Sequence, residues 1–421
     1  MGQHLGLRIA LLMGLLLGLA CGQDTLRSVA FEGLARTQPG FLLRFVGSEV
    51  GQPVDTLQAL ADAQRLQNLS FLSQVQVRWD SGAALCFVVK EAWTRFPLLA
   101  FGGVRGNTWA QVGFTDGHLM GRGWQLSTFY QLSDGRHGGQ VYLRLPYLGH
   151  SRWGATLSLL RWASTEPLYF GDQAVYYDYD NYSLGATALY EPSPGSTWEV
   201  GATFFLESYR KDQRHAGLTT PGPEQAQVPK LLLKAAHRGG IVNQYGHQFE
   251  GWDLTQQAQA IYDLPYQSWF HIYWADLRWF RRLGGQQRLN LAMRLRAGLS
   301  TNLQTPFAPF VLDSHVNIRG SGNRIDRGTG VLTWNLELRQ TLWEPWRTAL
   351  QGVLFSDLGA WRQPGGTLAD FVQADNLHQF VGLGLRLVLK PAHHAVLRAD
   401  YGLNPYAPEQ RGLVLGLGQY F

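Results

Sequence analysis

The residues of this chain best suited to chemistry are one guanidinium and two carboxylates. Ile318-Arg319-Gly320-Ser321 lies inside the stretch from Asp313 to Arg324, in a connection of roughly thirty residues. Loops longer than about 15 residues are uncommon unless they are functional or disordered, so a functional loop is the reading adopted. An arginine folded inward needs an acid, and each of the next two segments offers one on the face that would point the same way. These are Glu337 in Asn335-Leu336-Glu337-Leu338-Arg339 and Asp357 in Phe355-Ser356-Asp357-Leu358-Gly359. The chemistry implied is binding: a planar, always-charged guanidinium can fork to a carboxylate and keep its charge in a partly dehydrated site, where lysine would not be equivalent. Gly320 removes the side chain where the backbone must approach a wall.

Catalytic patterns are missing. The 12 histidines are scattered, and His393-His394 sits beside Pro391 in an expected turn, so no spacing suggests a metal site. Gly149-His150-Ser151-Arg152-Trp153-Gly154 misses the nucleophile elbow by one residue and lies in a tight turn. Gly320-Ser321-Gly322 lacks the third glycine and the following helix of a dinucleotide site. The expectation is a protein that is not an enzyme and carries neither cofactor nor metal.

The elements that must position the arginine are strands. Leu289, Leu291, Met293, Leu295 and Ala297 alternate with Asn290, Ala292, Arg294 and Arg296; Leu332, Trp334, Leu336 and Leu338 alternate with Thr333, Asn335, Glu337 and Arg339. Every charge falls on one parity. From Pro97 to Phe421 about sixteen such segments of roughly 7 to 17 residues follow one another, the pattern of a transmembrane barrel. Composition agrees: charged residues are only 16%, while the chain holds 49 Gly, 15 Trp, 17 Tyr and 21 Phe. No internal run of about eighteen apolar residues exists, which leaves the closed barrel as the way to satisfy the backbone in lipid. The net charge of +5 is dispersed singly along strands and does not point to nucleic acid.

Connections alternate between short and long. Those at Pro146–His150, Glu191–Gly195, Leu283–Gly285 and Trp343–Trp346 are tight, as inner turns are; Ala163–Ala174, Tyr209–Val228, Thr301–Gly328 and Arg362–Leu377 are longer, as outer loops are. This parity places the Arg319 loop on the outer side, after about the eleventh strand. Charges of lumen parity include Arg144, Arg278, Arg294, Arg296, Arg339, Arg386 and Arg398 against Asp276, Glu337, Asp357 and Asp400. That excess fits either a mildly anion-favouring lumen or plain solvation of a wet interior.

Two segments precede the barrel. Met1 to Gly22 reads as an export signal, with Arg8 at its positive start, the apolar run Ile9–Leu19, and Ala20-Cys21-Gly22 as cleavage site. Cys21 could instead become a lipidated N-terminus, and cleavage after Gly22 would leave Cys86 alone. Residues 24–95 read as a compact strand, helix, helix, strand, strand module. Asp55 is its candidate N-cap with Gln58 placed for a capping box, and Leu57, Leu60, Ala63 and Leu66 recur at helical spacing, predicting one face laid on a sheet. Val75, Val77 and Trp79, then Leu85, Phe87 and Val89, alternate around the turn Asp80-Ser81-Gly82.

Val29-Ala30-Phe31-Glu32-Gly33, Arg36-Thr37, Arg65-Leu66-Gln67-Asn68-Leu69, Phe71 and Val75-Gln76-Val77 together resemble one POTRA domain. The departure is Ser70, where glycine is more usual. Ile318-Arg319-Gly320 resembles the Val-Arg-Gly-aromatic motif on the sixth outer loop of the BamA, TamA and two-partner-secretion transporter families, with Ser321 in place of the aromatic. Phe101-Gly102-Gly103 with Gly113–Gly123, and Gly412–Phe421 with Leu413, Leu415, Leu417 and Phe421 on the lipid-facing parity, resemble the opening and closing strands of the same barrels. The resemblance implies a bacterial outer-membrane location with the POTRA domain in the periplasm, unfolded client chains and the bilayer as partners, and pairing of Arg319 with Glu337 and Asp357. It also implies a weak seam between first and last strands, where Gly102, Gly103, Gly412, Gly416, Gly418 and Phe421 lie; glycine weakens strands, though it also serves curvature. The activity implied is assembly or insertion of outer-membrane proteins, with export of one dedicated protein through the lumen as the alternative. Accessory lipoproteins as further partners stay open.

Overall fold

The computed structural model describes residues 24–421 except 105–106, 134, 171–172, 213–220, 286–287, 303–309, 313–316, 322–325, 364 and 391–394. The expected export signal with Cys21, the flanks of the loop motif at Asp313–Val316 and Gly322–Arg324, and His393-His394 lie outside the described residues. The chain divides into two compact units, one of residues up to Gln67 with Gln74–Glu91, the other of Asn68–Ser73 with Ala92–Phe421.

The smaller unit runs β1 (Ser28–Glu32), α1 (Pro39–Leu42) continuing into a 3-10 turn at Leu43–Phe45, α2 (Thr56–Gln67), β2 (Leu72–Asp80) and β3 (Ala84–Glu91). Its sheet has the order β1-β3-β2, with β1 parallel to β3 through Val29↔Leu85 and Phe31↔Phe87. Leu42, Leu66, Leu85 and Phe87 are fully buried within it.

The face of α2 differs from the expected one. Leu66 is buried, but Leu57 and Leu60 are exposed, and Ala59 and Asp62 turn inward instead. A polar anchor sets the rotation: the Asp62 carboxylate accepts the Gly47 N–H at 2.9 Å, the Ser48 N–H at 2.9 Å and the Ser48 hydroxyl at 2.6 Å, and pairs with Arg65. Counting only apolar residues could not see this, because a fully hydrogen-bonded carboxylate can be buried where an unpaired one cannot. Asp55 does cap the helix, accepting from the N–H groups of Leu57 and Gln58 at 2.9 and 3.0 Å. The Gln58 side chain donates to Asp62 at 3.0 Å, so the reciprocal half of the capping box is replaced.

The larger unit is a barrel of one antiparallel sheet with 16 strands in sequence order. Its first half is β4 (Arg95–Val104), β5 (Asn107–Leu119), β6 (Trp124–Ser133), β7 (Arg136–Leu145), β8 (Trp153–Phe170), β9 (Gln173–Ser193), β10 (Ser196–Lys211) and β11 (Gln225–Tyr245). Then come β12 (Gln248–Asp263), β13 (Ser268–Leu283) and β14 (Leu289–Ser300), followed in the long connection by the small pair β15 (Phe310–Leu312) and β16 (Asp326–Gly328). The wall resumes with β17 (Gly330–Trp343), β18 (Thr348–Arg362), β19 (Leu377–Leu389), β20 (Val396–Asn404) and β21 (Ala407–Leu417).

The long connection follows β14, which is the eleventh strand of the wall. Other bounds depart from expectation. The ladder of β8 and β9 continues from Trp153↔Tyr190 to Phe170↔Gln173, so Ala163–Ala174 is mostly strand and not a long loop. β9 and β11 reach 21 residues each, more than any segment read from alternation. A strand projecting beyond the hydrocarbon needs no apolar face, so the signal used to delimit it fades before the strand ends.

The burial pattern is inverted relative to a soluble sandwich. On β17, Thr333, Asn335, Glu337 and Arg339 are buried while Leu332 and Trp334 are exposed; on β14, Asn290, Ala292 and Arg294 are buried while Leu295 and Leu299 are exposed. The exposed rows are Leu, Val and aromatic residues and the enclosed rows are polar, which suits a wall with lipid outside and water within.

Candidate functional site

The site is assembled where the long loop meets the inner faces of β17 to β21. Two fastenings bring the loop there. At its root, Arg362 on β18 donates to the carbonyls of Ser300 at 2.6 Å and Thr329 at 3.0 Å, tying together the strand ends that flank the loop. Near its tip, Ile318 packs into a buried cluster with Val331, Trp361 and Phe380, and Asn335 donates to the Asn317 carbonyl at 2.8 Å.

Arg319 follows Ile318 into the lumen wall and has no exposed side-chain surface. Its Nε donates to Asp357 Oδ2 at 2.8 Å and its Nη2 to Asp357 Oδ1 at 2.8 Å, a bidentate fork, while its own backbone N–H reaches Asp357 Oδ2 at 2.9 Å. Nη1 donates to Glu337 Oε1. The guanidinium lies 3.8 Å from the centre of the Phe355 ring and 4.2 Å from that of Tyr420, so aromatic faces flank the ion pair. Such an arrangement uses every property that separates arginine from lysine: planarity, five donors and stacking.

The acids are shared further. Arg339 Nε donates to Glu337 Oε2 at 2.6 Å, Arg386 lies 3.5 Å from Glu337 Oε1, and Arg386 Nη1 donates to Asp400 Oδ1 at 2.7 Å. Asp400 in turn stands 3.8 Å from Arg319. Three arginines therefore balance three carboxylates in a fully buried network, which is the condition under which buried charge is tolerated.

Gly320 completes the seat. Its φ is +90°, and a Cβ there would lie 2.6 Å from the Gly402 carbonyl carbon. Gly402 and Gly412 are register partners on β20 and β21, and a Cβ on Gly402 would come within 2.7 Å of the Arg319 carbonyl oxygen. The loop backbone thus rests on a glycine floor that admits no side chain. Ser321 hydrogen-bonds back to the Ile318 carbonyl at 3.0 Å, closing the turn, so the tip is seated without an aromatic at that position.

The residues placed at the seam divide. Gly102 and Gly103 lie in β4 opposite Trp109 and Thr108 of β5. Gly412 is the loop's seat, and Gly416 makes room for Arg398, since a Cβ there would fall 2.4 Å from its Nε. Phe421 corrects an expectation. Leu413, Leu415 and Leu417 are exposed on the outward face, but the strand ends at Leu417 and Phe421 turns inward to a ring distance of 6.4 Å from Phe280. Gly418, at φ +84°, makes that turn, where alternation counted along a continuous strand would have put Phe421 outside. Among the described residues no ladder joins β4 to β21, which stand at the two ends of the sheet.

The fold is similar to that of BamA and CdiB. BamA from Haemophilus ducreyi lacking POTRA domains 1–3 superposes with a TM-score of 0.57 at 13% identity, covering 93% of this chain and 83% of that one. CdiB from Acinetobacter baumannii gives 0.57 at 14% identity over 94% and 73%, and CdiB from Escherichia coli 0.57 at 12% over 93% and 75%. No family model matches the chain, and no curated protein matches it by sequence.

The structure brings Arg319, Glu337 and Asp357 together, and beside them stand Asp400, Tyr420, Gly402 and Arg362, which sequence reasoning did not place at the site. Asp400 was legible as a lumen-parity acid, whereas nothing local marked the other three. Elsewhere the lumen charges are partnered across strands: Arg144 and Lys234 reach Glu199 at 3.0 Å each, and Arg294 and Arg296 share Asp276 at 2.6 and 2.8 Å. Neither Glu199 nor Lys234 was among the charges counted, and including both leaves the excess of cations unchanged.

Proposed function

We propose that this protein sits in the bacterial outer membrane and assists other proteins in folding into that membrane, taking client chains through a POTRA-type N-terminal unit and the barrel seam. The observation that carries the reading is that β4 and β21 stand at the two ends of the sheet, with no ladder between them among the described residues. An unpaired strand edge presents backbone donors and acceptors that an incoming strand can complete. The smaller unit offers edges of the same kind, since β1 and β2 flank β3 in its sheet. In this reading the Arg319 network acts as a lock, fixing the inner wall beside the seam while the seam itself exchanges partners.

Export of one dedicated protein through the lumen is the second reading, and the likeness to CdiB supports it as far as the likeness to BamA supports the first. Loop residues Ile318–Gly320 buried against the inner wall favour assembly, because a chain threading the lumen would have to displace them. Depletion in the native host separates the two. A general fall in folded outer-membrane barrels is expected, and loss of a single exported protein with the others unchanged would overturn the assembly reading.

A further inference from the structure

The segment after β21 does more than end a strand. Beyond the turn at Gly418, Gln419 reaches Gln351 on β18 at 3.4 Å, Tyr420 is buried, and Arg339 donates to the Phe421 carbonyl at 3.2 Å. The Tyr420 ring is shared by two guanidiniums, Arg319 at 4.2 Å and Arg398 at 4.8 Å, and Arg339 lies 5.5 Å from the Phe421 ring. Arg339 and Arg319 are bound to the same carboxylate, Glu337. The loop and the end of the strand that forms one side of the seam therefore close on one charge network from two directions.

We infer that Gly418–Phe421 is a clasp, in which Tyr420 is the positioning residue that couples the loop arginine to the β21 side of the seam. The Tyr420 face and the Phe355 face sandwich the guanidinium, so withdrawal of the segment exposes one side of Arg319, and withdrawal of the loop leaves Tyr420 without one of its two cations. A cation held against a ring in a desolvated site is bound more strongly than at an exposed one, which gives the coupling its strength. While the clasp is closed, residues 419–421 are committed to the lumen and lie outside any ladder, the Gly418 N–H making the last bond to the wall at the Val396 carbonyl, 2.7 Å away. The β21 edge beyond Leu417 becomes available to an incoming strand only when the clasp opens. This deepens the seam reading given above, and it names the contact that holds the seam strand back.

The test is amide hydrogen exchange on the full chain in lipid nanodiscs, without client. Tyr420→Leu keeps an apolar side chain and removes the ring. It is expected to speed exchange both at 317–321 and in the β21 segment through 421 by about tenfold or more, the scale of one desolvated cation–π contact. Strands β9–β12 should be unmoved, and Tyr420→Phe, which keeps the ring, should speed exchange less than Tyr420→Leu; equal effects of the two would refute a role for the ring. Arg319→Ala should speed the same two regions, and the double variant should add little to either single one. Exchange raised in one region only, or effects of Tyr420→Leu and Arg319→Ala that simply sum, would overturn the clasp. Should Tyr420→Leu fail to assemble, Gly418→Ala, disfavoured at its positive φ, is expected to give the same paired rise, and a rise confined to 418–421 would refute it. The readout needs no client: a paired rise in exchange with client assembly unaltered would uphold the coupling and count against the seam reading, whereas unchanged exchange would overturn the clasp whatever happens to assembly.

Discussion

Replacing Arg319 by alanine strips Asp357 of its one cationic partner among the described residues, together with two of the three hydrogen bonds Arg319 gives it. Glu337 fares better, because Arg339 and Arg386 remain beside it. The cost is therefore concentrated on one carboxylate that has no exposed surface and keeps only a backbone N–H. Breaking a buried pair by removing one partner typically costs about 3 to 5 kcal/mol, or roughly two to four powers of ten in the folded ratio. Phe355 and Tyr420 lose a stacked cation as well, worth about 2 kcal/mol in a desolvated site, though the two losses overlap and do not sum. Urea titration of the barrel in lipid vesicles, with heat-modifiability on gels as a second reading, measures the difference. The companion variant Arg319→Ala/Asp357→Asn removes the charge left behind and is expected to recover a substantial part of the loss. A single variant within about 0.5 kcal/mol of the parent, the range of an ordinary surface substitution, would refute a buried lock, as would a double variant no better than the single.

The glycine floor predicts that Gly402→Val expels the loop tip, since its Cβ alone would lie 2.7 Å from the Arg319 carbonyl oxygen; limited proteolysis within 317–321 should become faster, and unchanged cleavage would mean that the wall yields. In the smaller unit, Asp62→Ala orphans the Gly47 and Ser48 N–H groups and should destabilise that unit by about 1 to 3 kcal/mol, read from exchange of those two amides. Glu91 gives a pH dependence: burial pushes its carboxyl up, but the Thr37 hydroxyl and the N–H groups of Thr37, Arg36 and Ala35 outweigh this and hold it below its usual range. A depressed acid contributes stability that is present above its unfolded pKa and disappears as pH falls through the folded value. Exchange at 35–37 should therefore rise on acidification below about pH 4.3, and Glu91→Gln should remove that limb of the profile. An identical acid profile in the Gln variant would place the effect elsewhere.

Much of the site was readable because barrel polarity is a local property. Side chains alternate with period 2, so Glu337 and Asp357 could be assigned to the inner face from their immediate neighbours, and the inner-turn and outer-loop rhythm placed Arg319 after the eleventh strand. The buried face of α2 was misjudged for the converse reason, because it is set by Asp62. Its burial depends on a hydrogen-bonding loop more than a dozen residues away, and the helical period carried no trace of it.

From sequence alone came the wall, the direction each strand side faces, and the pairing of one loop guanidinium with two following acids, because each follows from short-range periodicity and the cost of an unpaired charge. Tertiary structure decided what that loop rests on and what else holds it: the Gly402–Gly412 floor, the third acid Asp400, and Tyr420 brought back from 101 positions away by a left-handed turn at Gly418. Those depend on how far one strand is staggered against the next and on a single backbone angle, and neither quantity leaves a mark in the composition of the segments that it joins.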